Sequence, residues 1–278
     1  MAILTPDTET TVACKNCGAP VGAPYCARCG QSRDVGRLGF RSVWDEFIWE
    51  FFDLDRGLLH TVAQLTVRPG HVVRAYVLGK RKLFTKPLSF YLIMLALYYL
   101  VSTLLKVNPL DLGLGPIGDA QRGAEDGYRG SQTATSKADL ARIGAVLNEN
   151  VKVIFTVLVF FLAFSMRLFY RKSGYHWVDL LAFSFYVIGY SYLPYILTAV
   201  LLGWFGKVGW VLALVGAVTV LSLGLYVWSV VQFFERKGLP AILKATLVVF
   251  VSVVLYAVLI SVVLGGVIGI QMARTGKA

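Results

Sequence analysis

Apolar residues cluster in long windows from residue 88 onward, preceded by shorter segments of mixed pattern. Five windows are nearly free of charge: Leu88–Leu105, Val151–Tyr170, Val178–Leu202, Val208–Phe234 and Leu247–Ile270. A helix needs roughly 20 apolar residues to cross the hydrocarbon core of a bilayer, and these windows have that length. Only helices and closed barrels satisfy their backbone in lipid, and a barrel would show short alternating strands instead. The pattern predicts an all-α integral membrane protein with about five transmembrane helices.

The pattern before residue 88 is different. Phe40, Val43, Trp44, Phe47, Ile48 and Phe51 recur at helical spacing, while Arg41, Asp45, Glu46 and Glu50 fall elsewhere around the turn. Such a helix is amphipathic, and it suits either the membrane interface or a groove on the bundle. A second helix is expected from Gly57 to Val67, stopping at Arg68-Pro69-Gly70. A third is expected from near His71, carrying Arg74, Tyr76, Lys80, Arg81 and Lys82, with Lys86 just before Pro87.

Composition supports the membrane reading. Hydrophobic residues make up 56% of the 278 and charged residues 15%, against about 25% charged in ordinary soluble domains. Lys and Arg outnumber Asp and Glu by 27 to 16. Their distribution sets orientation, because cytoplasmic loops retain positive charge. Eighteen lie in residues 1–87, 167–172 and 235–246, and nine lie in the segments that alternate with them. The N-terminus is therefore expected in the cytoplasm and the C-terminus outside. Residues 106–150 become an external loop, mobile by composition. The first 13 residues read as a flexible start without the features of a signal peptide.

Residues 14–31 hold all four cysteines, as "CKNCGAPVGAPYCARCGQ". Cys14 and Cys17 form one pair at a two-residue gap, Cys26 and Cys29 another, and Gly18 and Gly30 follow. Two tight turns of this kind can present four thiolates to one ion, which points to structural zinc in a minimal ribbon. Iron shares the ligand set. Two disulfides are the competing reading, disfavoured by a cytoplasmic location.

Bases crowd the stretch between ribbon and first span. A diffuse attraction to anionic headgroups accounts for them at roughly 1 kcal/mol each. The sharper expectation is an anion pocket on which Arg56, Arg68, Arg74, Lys80 and Arg81 converge, exploiting the forked guanidinium.

The order of motifs is "CKNCG", "YCARCGQ", "LDRG" with Thr61, "RPG", Tyr76, "GKR" and Pro87-x2-Phe90. Over residues 14 to about 95 it resembles the bacterial membrane family called domain of unknown function 3667. The resemblance marks Asp55, Arg56, Gly57, Arg68, Pro69, Gly70, Gly79, Lys80, Arg81 and Pro87 as signature positions. It implies this architecture in a bacterial inner membrane and supplies no mechanism.

Ionisable and polar residues near the spans are the other candidates. Arg167, His176 and Asp179 are expected near the cytoplasmic face, with an Arg167–Asp179 pair closing the turn. Tyr186 and Tyr190 lie one turn apart in a span broken by Pro194. Gly216, Gly224, Gly265 and Gly269 are expected at close helix contacts, the last two marking a possible homodimer face.

Several chemistries are excluded. The sequence has no P-loop, no dinucleotide fingerprint, no His-Glu-x-x-His helix and no nucleophile elbow. The ribbon carries only Lys15 and Arg28 between its outer cysteines, too few for a nucleic-acid track. The first expectation is a non-enzymatic protein that binds or transports an anionic, lipid-like amphiphile. The alternatives are an assembly or regulatory protein docking a cytoplasmic partner through its ribbon, and a lipid-modifying enzyme using Asp55, Arg56 and His60.

Overall fold

The structure is a computed structural model that describes residues 12–35, 57–107, 156–206 and 209–274. The expected amphipathic helix around 40–51, the 108–150 loop, Asp55 and Arg56 lie outside the described residues. The N-terminal unit has two short antiparallel strands, β1 (Val12–Ala13) and β2 (Pro20–Val21), with Val12 opposite Val21. All other regular elements described are helical.

Helix α1 (Gly57–Val67) ends where the sequence expectation put it. Proline disfavours helical geometry in the residue before it, and Arg68 duly leaves it with φ −145° and ψ 63°. Pro69 then opens α2 (Pro69–Val77) at a position where its missing N–H costs nothing. α2 stops short of the basic cluster, contrary to the expectation that it would carry Lys80, Arg81 and Lys82. Gly79, at φ +109°, ends it. The Lys80 amide reaches back to Ala75 O at 2.9 Å and the Gly79 amide to Tyr76 O at 3.0 Å. These are the two bonds of a Schellman cap.

Among the described residues, four helices are long and apolar enough to cross a membrane. They are α3 (Pro87–Leu104), α5 (Trp177–Phe205), α6 (Gly209–Phe233) and α7, which runs Leu239–Arg274 with its apolar span over Leu239–Val262. Between α3 and α5 a shorter apolar helix, α4, is described over Thr156–Phe169, within the expected second window. α7 begins eight residues before the expected fifth window. Pro240 sits in its first turn, and Lys244, which interrupts the apolar run, lies 4.5 Å from the centre of the Tyr170 ring. A lysine that can rest on an aromatic face does not end a helix near an interface.

α3 and α5 form the central pair. Cβ atoms built at Gly189 and Gly203 of α5 would meet Tyr91 Cα at 3.1 Å and Leu105 Cβ at 2.9 Å. Contacts therefore advance in the same direction along both helices, which run parallel. The core around this pair is aromatic, with Phe90, Tyr91, Tyr98, Phe183 and Tyr186 fully buried together with Tyr76 of α2. α6 and α7 instead expose much of their apolar surface, including Val220, Leu221, Phe250 and Val258. Among the described residues, no other element comes within 4 Å of a Cβ built at Gly216 or Gly224, so neither makes there the close helix contact expected of it.

α2 lies across one end of the bundle. The Gly70 amide donates to Gln232 Oε1 at 3.0 Å, and Arg74 forms an ion pair with Glu235. Tyr175, in the turn before α5, packs on Phe233 with ring centres 4.6 Å apart. The segments 68–86, 170–176 and 232–239 thus share one end of the bundle.

Candidate metal centre and basic turn

The ribbon is built from two similar turns. The Gly18 amide bonds Cys14 O and the Gly30 amide bonds Cys26 O, each at 2.8 Å. Both glycines have positive φ, +75° and +70°, where a side chain would be strained. All four thiols are free, and their sulfurs lie within 4.8 Å of one another. Cys14 and Cys29 approach to 3.6 Å, as do Cys17 and Cys26. A tetrahedron with bonds of 2.3 Å has edges of about 3.8 Å, so this cage fits a metal ion with little adjustment. Backbone amides further prepare the sulfurs for the anionic form. The Cys29 amide lowers the pKa of the Cys26 thiol, and the Gln31 amide lowers that of Cys29. The Ala19 amide pulls Cys17 down, but desolvation and the other three thiols push it up to about 11. Four clustered thiols cannot all ionise without a cation, and a bound metal supplies it.

Gln31, the residue after the last knuckle, joins the ribbon to the bundle. Its side chain is 5% exposed. Nε2 donates to Gly79 O at 2.8 Å, and Oε1 accepts from the Arg81 and Lys82 amides at 3.3 and 3.4 Å. Lys15 lies so close that a Cβ on Gly79 would sit 2.9 Å from its Cδ. The Gly-Lys-Arg turn is therefore held by its backbone from the ribbon side.

The other end of that turn is held by α1 and α5. Thr61 Oγ1 donates to Gly57 O at 2.7 Å and accepts from the Thr85 amide at 3.0 Å. A Cβ on Gly57 would touch Thr85 at 3.4 Å. The Tyr186 hydroxyl donates to Thr85 O. The motif residues Gly57, Gly79 and Pro87 thus bracket one loop, while Pro69 and Gly70 serve a different contact, with α6.

The expected convergence of five bases is not what the described residues display. Arg74 is engaged by Glu235 at the end of α6. The Arg81 guanidinium lies 5.7 Å from the centre of the Tyr76 ring, and its Nε donates to Tyr76 O at 3.5 Å. Arg68 and Lys80 are exposed. These four occupy one end of the bundle, where Arg74 and Arg81 are engaged by different neighbours.

Residues 55–99 match the family described as Protein of unknown function (DUF3667). The DUF3667 match spans α1, α2, the basic turn and most of α3, and leaves the ribbon and α4–α7 outside it. No curated protein and no solved structure matches the chain.

Within the DUF3667 segment, His60 packs its ring on Phe84 with centres 5.6 Å apart. Beyond that segment, the expected Arg167–Asp179 pair does not form. Arg167 donates to Tyr175 O at 3.0 Å, and Asp179 Oδ2 accepts from the His176 amide at 2.8 Å. The start of α5 leaves an amide there in need of a partner, and Asp179 is the nearest carboxylate. Tyr186 and Tyr190 also separate, the second donating to Thr66 Oγ1 at 3.1 Å. Sequence reasoning missed Gln31 and Gln232. Their only signal was position, directly after a knuckle and at the end of a span.

Proposed function

We propose that the chain is a multi-pass bacterial inner-membrane protein that binds an anionic amphiphile, lipid-like in character, at its basic end. In this reading the ribbon carries structural zinc, the basic end and the N-terminus face the cytoplasm, and the C-terminus is external.

One observation carries the ligand reading. Residues 57–107 contain seven Lys and Arg and no Asp or Glu. Among the described residues of the bundle the carboxylates are Asp179 and Glu235, and both are engaged. Positive charge beside a span without carboxylates in the same segment favours an anion from outside the fold, and bilayer headgroups are the nearest source. The held backbone of the Gly-Lys-Arg turn supports a defined site over a diffuse rim, because a rim needs no fixed geometry.

Native mass spectrometry of detergent-purified protein tests this. Anionic phospholipid or isoprenoid phosphate should remain bound, and the Arg68→Gln/Lys80→Gln variant should lose it. Retention of neutral lipid alone, or equal retention by the variant, overturns the reading. Copurification of a protein in place of lipid would favour the assembly role.

A further inference from the structure

We infer that Gln31 is a positioning residue that couples metal occupancy of the ribbon to the conformation of the basic turn. Gln31 takes part in both structures at once. Its main chain completes the second knuckle, with its carbonyl accepting from the Cys26 amide at 2.8 Å and its amide hydrogen-bonding the Cys29 sulfur. Its side chain binds only peptide groups of the turn: Gly79 O, Arg81 N and Lys82 N. One donor faces one carbonyl and one acceptor faces two amides, so the opposite amide orientation would set like against like. Gln31 therefore recognises the path of the backbone and not the Lys80, Arg81 or Lys82 side chains.

The ribbon has little to hold it without metal. Its core consists of Cys14, Val21 and Cys26, with Cys17, Ala19 and Cys29 packed against them. Four of those six residues are the ligands themselves, and a unit of this size folds on metal binding. Loss of the ion frees Gln31 and Lys15, and with them the constraint on Gly79–Lys82. Coupling is reciprocal: an anion that favours the held turn tightens metal binding by the same factor. This last step rests on the proposed lipid reading, and the coupling between ribbon and turn does not.

Hydrogen–deuterium exchange on the full chain in detergent tests the coupling. Wild-type protein with metal is compared with chelator-treated protein and with Gln31→Ala. Arg81 and Lys82 amides should exchange roughly fivefold faster in both altered states, the factor expected from losing one modest hydrogen bond. Gln31→Ala should keep its full metal content, and Gln31→Glu, which keeps the acceptor for the two amides but sets an oxygen against Gly79 O, should restore only part of the protection. Unchanged exchange after metal removal overturns the inference. So does loss of metal from Gln31→Ala, which would make Gln31 part of the knuckle alone. Native mass spectrometry of the same samples separates the two proposals. A released turn with undiminished anionic lipid upholds the coupling and overturns the lipid reading.

Discussion

Gly70→Ala isolates what the Arg-Pro-Gly motif does. A methyl group there would lie 2.3 Å from Ser229 O, 2.5 Å from Gln232 Cβ and 2.6 Å from Phe233 N. Two of these atoms are backbone in the last turn of α6, so no rotamer change relieves the clash and α2 must move away. Moving costs about 1–3 kcal/mol for overpacking. Separation also breaks the Gly70–Gln232 hydrogen bond, for about 1 kcal/mol more. Alanine returns about 1 kcal/mol in helix propensity, leaving a net loss near 2 kcal/mol. At about 2–4 °C per kcal/mol for a chain of this size, the melting temperature in detergent should fall by about 4–8 °C. Gly224→Ala is the control, because nothing lies within 4 Å of that position. Followed by tryptophan fluorescence, it should melt about 2–4 °C above wild type, because an open site inside α6 adds no clash and gains the same helix propensity of about 1 kcal/mol. The reasoning fails if Gly70→Ala melts like wild type, or if Gly224→Ala falls as far.

Metal analysis of the purified protein should return one zinc per chain, and Cys17→Ser should lose it while the bundle still melts normally; a chain free of zinc and iron would end the ribbon reading. Reporter fusions before Cys14 and after Ala278 should report opposite sides of the membrane, and a shared side would mean one crossing too many or too few. A double-mutant cycle of Arg167→Gln and Asp179→Asn should give coupling within about 0.5 kcal/mol of zero, since the two side chains bind different backbone groups. Coupling beyond about 1 kcal/mol would restore the ion pair that the sequence suggested.

The spans were legible because lipid imposes one requirement on every residue of a window, and composition alone meets or fails it. The breaks at Pro69 and Gly79 belong to the same class, since each follows from backbone chemistry within a few residues. Pairing was harder to read. Asp179 could have answered Arg167 or its own helix start, and the sequence ranks neither. Gly70 and Gly224 look alike as letters, yet one admits no side chain and the other faces open space. What separates them is a neighbour some 160 positions away, which local pattern cannot supply. Gln31 was obscured in the same way, because an uncharged polar residue after a cysteine gives no hint of a partner 48 positions on.

The parallel run of α3 and α5 carries a consequence of parity. Two neighbouring helices that leave from the same end require the chain between them to travel back, so if both cross the bilayer the intervening segment crosses it an odd number of times. α4 is the apolar helix available for that return. α6 then comes back to the end where Gln232 meets Gly70, and α7 departs from it once more. If all five helices cross, the total is odd, and the cysteine ribbon and the end of α7 would then face different sides of the membrane.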